Sequence, residues 1–237
     1  AAWSALDSGA VMGLGGVPAQ HLSALMKNSK FSVYTAREAS SSILFFNLKN
    51  DEVTFFQQRD VRKALLDSVN RQGIIDSLFD GQAVPASGPL LPNSWAADSS
   101  LVPEPFDPDT AVRLLDSAGW LLPTGAEKGT DSYVRRKDDK PLAFTLLVPD
   151  DARHQAVAEA LRANWAAVGV KADLKVLPLA ELLANYLEPR IYQAALLDLD
   201  FSPYPDPDPY PFWNDTQFPS GQNYSQFDDR SISETLE

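Results

Sequence analysis

The chain has 237 residues, 44% of them apolar, a formal net charge of −12 and no cysteine. That length and apolar share suit one large globular domain or two smaller ones with a full core, and argue against disorder as the main state. The charge argues against a nucleic-acid binder and against attraction to anionic lipid, while the absent cysteines exclude a disulfide scaffold, a thiol nucleophile and a thiolate-held zinc.

No run approaches the roughly 18 apolar residues of a membrane span, and the first residues do not follow the basic-then-apolar order of a signal peptide. The sequence opens Ala1-Ala2-Trp3 and stops soon after Ser231-Ile232-Ser233-Glu234, which reads as a capping box opening a helix with Ile232 and Leu236 on one side. We expect a piece of a longer polypeptide whose signal peptide or anchor lies outside it.

In chain order, Pro18 to Lys27 places Leu22, Leu25 and Met26 at helical spacing, and Ile43 to Leu48 reads as a buried strand. Gly13-Leu14-Gly15-Gly16 is a plain turn, because Pro18 stands where the third glycine of a dinucleotide loop belongs. From Asp60 a helical face carries Val61, Ala64, Leu65 and Val69. A short apolar turn through Ile74, Ile75, Leu78 and Phe79 ends at Gly81. Residues 82–105 hold five prolines and no sustained period, a long loop whose Trp95 needs a place to bury. Asp107-Pro108 is an N-cap followed by proline at the first helical position. The helix it opens carries Ala111, Leu114, Leu115 and Ala118, and Gly119 closes it.

Tyr133 to Arg136 and Leu142 to Val148 flank Lys137-Asp138-Asp139-Lys140 and read as a hairpin, with Arg135-Arg136-Lys137 a solvated tip. A helix from Asp151 to Val168 presents Val157, Leu161, Trp165 and Val168, and Gly169 stops it. Val170, Ala172, Leu174 and Val176 then alternate with polar residues. Strand, helix and strand form a βαβ unit, whose strands should be parallel or close neighbours in one sheet. A helix from Ala180 to Leu187 and a strand from Gln193 to Leu199 complete an α/β class.

The segment Phe201 to Trp213 packs five prolines, five aromatics and two aspartates into thirteen residues, with Asp198 and Asp200 just upstream. Proline removes a backbone donor and pushes its predecessor to extended geometry, so the segment reads as a rigid extended loop. It follows a strand's carboxyl end, where open α/β sheets place ligand crevices. Rings beside carboxylates suit an organic molecule carrying an amino group, through cation–π contact and charged hydrogen bonds. The plainer alternative is a surface turn packing its own rings.

His21 and His154 each stand alone in a helical context, and no GxSxG, HExxH or phosphate-loop motif occurs. Asp198, Asp200, Asp206 and Asp208 allow a calcium or carboxylate-pair hydrolase reading, but the EF-hand pattern fails at Pro203 and Pro209. Asn214-Asp215-Thr216 and Asn223-Tyr224-Ser225 match a glycosylation sequon that is short enough to arise by chance.

The ordered motifs resemble the extracytoplasmic solute-binding proteins of peptide and nickel ABC transporters, over Leu44 to Phe227. Phe46-Asn47 is similar to the strand that enters the family's lobe. Val61-Arg62-Lys63-Ala64-Leu65 with Asn70-Arg71 and Ile74-Ile75 is similar to its VRxAL helix signature. Gly81-Gln82-Ala83 with Pro85 and Gly88-Pro89 resembles the loop that follows. Phe106-Asp107-Pro108, Ala111, Leu114-Leu115 and Ala118-Gly119-Trp120 resemble YDPxxAxxLLxxAGW, the most specific motif of the set. Lys137-Asp138 before Pro141-Leu142, and Val168-Gly169-Val170, continue the order. Asp60 replaces an arginine common before VR, and Gln58 a common acidic helix cap.

The resemblance implies a periplasmic-binding-protein-like lobe, a mixed sheet flanked by helices and half of a two-lobed binder. Residues 1–46 would be an end piece of the first lobe with the hinge strand, and 47–237 the second ligand-binding lobe, cut short at its end. The implied role is a non-enzymatic, extracytoplasmic, monomeric component of an importer, without cofactor or nucleic acid. It would pass a peptide, nickel chelate or oligosaccharide to permease subunits. The implied solute contacts are Asp200, Phe201, Tyr204, Asp206, Tyr210 and Trp213. Asp206-Pro207 matches half of the family's D-x-x-[D/E]-P pattern, while Pro203 stands where the anchoring aspartate belongs and Asp200 could serve instead. The alternatives are a carboxylate-based hydrolase and a proline-rich interaction module.

Overall fold

A computed structural model of the chain describes residues 2–17, 19–36, 38–92, 94–201, 208–218 and 220–237. Its centre is a four-stranded mixed sheet built from β1 (Ser40–Phe46), β4 (Ala143–Pro149), β5 (Lys171–Leu177) and β6 (Ala194–Asp200), in the order β1-β6-β4-β5. β2 (Arg136–Lys137) and β3 (Lys140–Pro141) form a separate two-stranded ladder. β4 runs parallel to both β5 and β6, and β1 closes the edge antiparallel to β6, from Ser40 opposite Asp200 to Phe46 opposite Ala194.

The helices in chain order are α1 (Ala2–Asp7), α2 (Ala19–Met26), α3 (Arg59–Asp67), α4 (Arg71–Leu78), α5 (Pro108–Ser117), α6 (Ala152–Ala167), α7 (Leu179–Leu182), α8 (Tyr210–Trp213) and α9 (Arg230–Leu236). The βαβ unit expected from the sequence is β4-α6-β5, with its strands adjacent and parallel. Among the described residues no helix is long and apolar enough to cross a membrane.

Strand alternation sends apolar side chains to both faces of the sheet, which gives two cores. On one face Leu44, Phe46, Phe144, Leu146, Val148, Ala172, Ala194 and Leu196 pack against α3, α5 and α6 and a 3-10 segment, Asp51–Gln57, that contributes Val53, Phe55 and Phe56. The rings interlock there, with centroids at 4.4 Å for Phe46–Phe56, 5.1 Å for Phe56–Phe144 and 5.3 Å for Phe144–Trp165. Trp165 also donates from Nε1 to the Leu65 carbonyl at 3.0 Å, which joins α6 to α3 without stranding a polar atom. On the other face Phe45, Leu147, Ala195 and Leu197 meet Leu182, Leu187 and Tyr192.

Local chemistry explains most boundaries. Asp107 caps α5 by accepting from Thr110 N at 2.8 Å, with proline inside the first turn. Asn70 caps α4 through Gly73 N, so the expected apolar turn is a two-turn helix. Gln58 precedes α3 without a side-chain cap bond. The helix expected over Ala180–Leu187 is α only to Leu182 and continues as a π turn, Leu183–Leu187, with Leu182 and Leu187 both fully buried.

Four expectations are corrected. The tip Arg135-Arg136-Lys137 is only partly solvated: Arg135 is buried, and Lys137 Nζ donates to the Ala118 carbonyl at 2.8 Å. The turn itself holds Asp138 and Asp139 at φ 49° and 61°, the left-handed pair that a two-residue hairpin loop needs. α9 is capped by Asp229, which accepts from Ser231 N and Ile232 N, two residues before the expected Ser231; its buried residue is Ser233 while Ile232 is exposed. Trp95 is not buried among the described residues and is 78% exposed. Its loop is instead held by backbone, since Arg71 donates to the carbonyls of Ala86 and Glu104 at 2.7 and 2.6 Å. The extended reading of Phe201–Trp213 fails at its end, where α8 forms with Pro211 in its first turn, a position that tolerates proline.

Candidate functional site

The carboxyl ends of β4 and β6 open onto one edge of the sheet, and the amino end of α6 follows β4 directly. β6 changes character as it reaches this edge: Ala194 to Leu197 are buried, Asp198 and Leu199 half-buried and Asp200 exposed. Asp198 and Asp200 share the face that carries α6.

Asp198 is the centre of a polar cluster. Its Oδ1 accepts from Ser42 Oγ at 2.6 Å, directly across the β1–β6 ladder, and Oδ2 pairs with Arg153 on the first turn of α6. His154 is buried beside it, with Nδ1 2.5 Å from Asp151 Oδ2 and Nε2 facing Asp198 Oδ1 at 3.3 Å. Asp151 also caps α6, accepting from the backbone of Arg153 and His154. Burial opposes ionisation of Asp198, but the Ser42 and Arg153 hydrogen bonds and the Arg153 and His154 charges outweigh it and hold the carboxyl below its ordinary range. Burial likewise opposes ionisation of Asp151, and the bonds from His154 again win.

The sequence reading missed this cluster because Ser42, Asp151 and Asp198 are far apart in the chain, and His154 therefore looks solitary. The one legible signal was Asp-x-x-His at the start of a helix, which reads as an ordinary cap.

Phe201 follows β6 and is buried, its amide donating to Ala39 O at 2.7 Å. Its ring meets Phe212 edge to face at 6.1 Å, and Phe212 meets Trp213 at 5.7 Å. Tyr210 and Trp213 are half-buried on α8; the Tyr210 hydroxyl shares a 3.0 Å hydrogen bond with Thr216 Oγ1. Asp208 accepts from Tyr210 N. Four of the six expected contacts, Asp200, Phe201, Tyr210 and Trp213, are thus described. Tyr204 and Asp206 lie outside the described residues. Among the described residues no group of three or more acidic or histidine side chains could hold a metal ion.

Both sequon asparagines are fully buried and used in folding. Asn214 Nδ2 donates to Ser233 O at 3.2 Å, and Asn223 Nδ2 donates to Phe227 O at 2.7 Å. Two cavities open elsewhere, one of about 340 Å³ between α5 and the end of α6 and one of about 420 Å³ beside Arg190 and Tyr224. Neither is lined by Asp200, Phe201, Tyr210 or Trp213, the expected contacts among the described residues.

The sequence model described as bacterial extracellular solute-binding proteins, family 5 Middle, matches residues 1–222. Di/tripeptide-binding protein 3 of Pseudomonas aeruginosa (strain UCBPP-PA14) is 32% identical over 119 residues, covering 50% of this chain and 20% of the relative. The nickel-binding periplasmic protein of Escherichia coli (strain K12) is 32% identical over 115 residues, 48% of this chain and 21% of the relative. The solved oligopeptide-binding protein AppA from Bacillus subtilis, in complex with a nonapeptide, superposes with a TM-score of 0.79 at 21% identity. That superposition covers 98% of this chain and 45% of AppA, and it shows a shared fold. The chain spans less than half the length of each of these relatives.

Proposed function

The chain belongs to the bacterial extracellular solute-binding proteins, family 5, and we propose that it is one lobe of a protein that captures a peptide or similar small solute for an ABC importer. The solute would then be handed to the membrane permease. The observation that carries this reading is the placement of exposed Asp200, at the carboxyl end of β6, next to Phe201 and the rings of α8. Such an edge is where open α/β sheets collect ligands.

A solute there would bury apolar surface on Phe201, Tyr210 and Trp213, and Asp200 would meet an amino group. By sequence order Tyr204 and Asp206 would join them. The proposed division keeps residues 1–46 as the end of a first lobe and the strand leading out of it, with 47–237 as the second lobe. The protein would act outside the cytoplasm, as a monomer and without a cofactor. The di/tripeptide- and nickel-binding relatives make peptides and nickel chelates the first solutes to try.

The hydrolase alternative is weaker on one specific ground. Asp198 is already committed to Arg153, Ser42 and His154, so it is not poised as a free acid or base. The interaction-module alternative needs rings free to dock, whereas Phe201 is buried.

The test is calorimetry on the intact protein against a peptide library, oligosaccharides and nickel–histidine chelates. Binding by one class, weakened by Asp200→Asn, supports the reading; silence across all three removes it.

A further inference from the structure

His154 lies between two carboxylates from different parts of the fold. Nδ1 is 2.5 Å from Asp151 Oδ2 at the amino end of α6, and Nε2 is 3.3 Å from Asp198 Oδ1 on β6. The residue is 8% exposed, and Nε2 is buried without a hydrogen-bond partner. An imidazolium carries N–H on both nitrogens; a neutral imidazole carries it on one. In one neutral tautomer the Nε2 lone pair confronts the partly buried Asp198 carboxylate, where unpaired polar contacts are costly, and in the other the Nδ1 lone pair confronts the half-exposed Asp151 carboxylate at 2.5 Å.

Little else on the packed elements can take over. Arg153, on the same helix, pairs with the other oxygen of Asp198. Ser42 from β1 is uncharged and already donates to Asp198. The positions of β4 and β5 facing α6 are apolar: Phe144, Leu146 and Val148, then Ala172 and Leu174. On α4, Asp76 accepts from Gln72 and Arg71 holds two loop carbonyls. Asp200 is two residues beyond Asp198 on the same face.

We propose that His154 is a positioning residue, a proton-dependent clasp that joins β6 to α6 and sets the Asp200–Phe201 end of β6 for solute. Losing the ring proton removes the His154 arm while the Arg153, Ser42 and β1 contacts remain, so that end loosens rather than detaches and capture weakens. The affinity part rests on the solute-binding reading above; the clasp itself does not.

The experiment follows the intact protein by NMR from about pH 5 to about pH 8, the range in which imidazoles exchange a proton. The His154 ring and the backbone amides of Asp198 to Phe201 are monitored, with His21, stacked on Trp3, as the internal control ring. The amides are expected to move together with the His154 ring signals and to stay flat in His154→Gln, where the His21 signals still move. Calorimetry with trialanine is expected to give affinity at least about 5-fold weaker at the alkaline end, and a pH-flat affinity in the variant.

Amides that ignore the His154 midpoint, or move equally in His154→Gln, overturn the clasp. If the variant does not fold, wild-type amides that stay flat while the His154 ring signals move still overturn the clasp. Amides that follow His154 while trialanine fails to bind support the clasp and count against the peptide reading alone. Trialanine affinity that is flat with pH in the wild type overturns the link to capture.

Discussion

Arg135 donates from Nε to the Val168 carbonyl oxygen at 2.7 Å, and from Nη1 to the Trp120 carbonyl at 2.7 Å. One buried guanidinium therefore satisfies the C-cap carbonyl of α6, which has no partner within the helix, and the Trp120 carbonyl just beyond α5, whose own C-cap carbonyl at Ala118 is taken by Lys137. Asp116 supplies its counter-charge at 2.5 Å. The backbone of Arg135 adds bonds to Gly169 O and from Leu142 N, so the residue welds the hairpin to both helices. Arg135→Met keeps the stem but strands the carbonyls, and is expected to cost about 2–4 kcal/mol. Urea denaturation checks it; a loss within experimental error would mean that water replaces the guanidinium.

Gly169 stops α6 at φ +85°, and a Cβ there would lie 2.9 Å from both Arg135 Cγ and Leu122 Cδ2. Backbone strain and contact act together, so Gly169→Ala should destabilise by about 1–3 kcal/mol. Thermal unfolding reads this directly, and an unchanged midpoint would contradict the packing around Arg135.

Asn47, buried just after β1, donates from Nδ2 to the carbonyls of Arg190 and Tyr192, both at 2.9 Å. Its Oδ1 accepts from Lys49 N and from Gln226 Nε2. It thus joins β1, the approach to β6 and the carboxyl-terminal segment. Asn47→Ala is expected to cost about 2–3 kcal/mol. Asn47→Asp should fare no better, because it sets a charge against two carbonyls. Hydrogen exchange at Gln226 should rise in both variants, and protection equal to wild type would refute the role.

The Asp198 carboxyl is held below its ordinary range although burial pushes the other way. A depressed folded value means that ionised Asp198 contributes stability above the unfolded carboxylate range, near about pH 4, and loses it as pH falls through the folded value. Asp198→Asn should therefore flatten the acid side of the stability curve while leaving its Arg153 partner unpaired at neutral pH. Denaturant midpoints from about pH 6 to about pH 2 test it, and an acid limb as steep as in the wild type would sink the assignment.

The local signals that were legible are those carried by neighbouring residues. Asp107-Pro108 and Gly119 bound α5 because a cap, a fixed φ and a left-handed stop act over one turn. The spacing of Val157, Leu161 and Trp165 between apolar strands gave the βαβ unit. Ordered motifs gave the family, and the family model covers residues 1–222. Arg135 was misread because charge beside a tight turn is normally solvated, and only the meeting of the α6 end with the segment that leaves α5 makes it a core residue. Trp95 was misread the opposite way, since apolar area alone does not guarantee a burial site within the described residues.

By itself the sequence determined the α/β class, the capped helices, the placing of Asp200 and Phe201 at the carboxyl end of a strand and the membership of a solute-binding family, all of which rest on local pattern or ordered motif. Only the tertiary structure decided which groups share a charge environment. Ser42, Asp151, His154 and Asp198 come together because β1 pairs antiparallel to β6 and α6 begins where β4 ends. Register and crossover, which set contacts such as Ser42 to Asp198, 156 residues apart, leave no periodic mark in the chain.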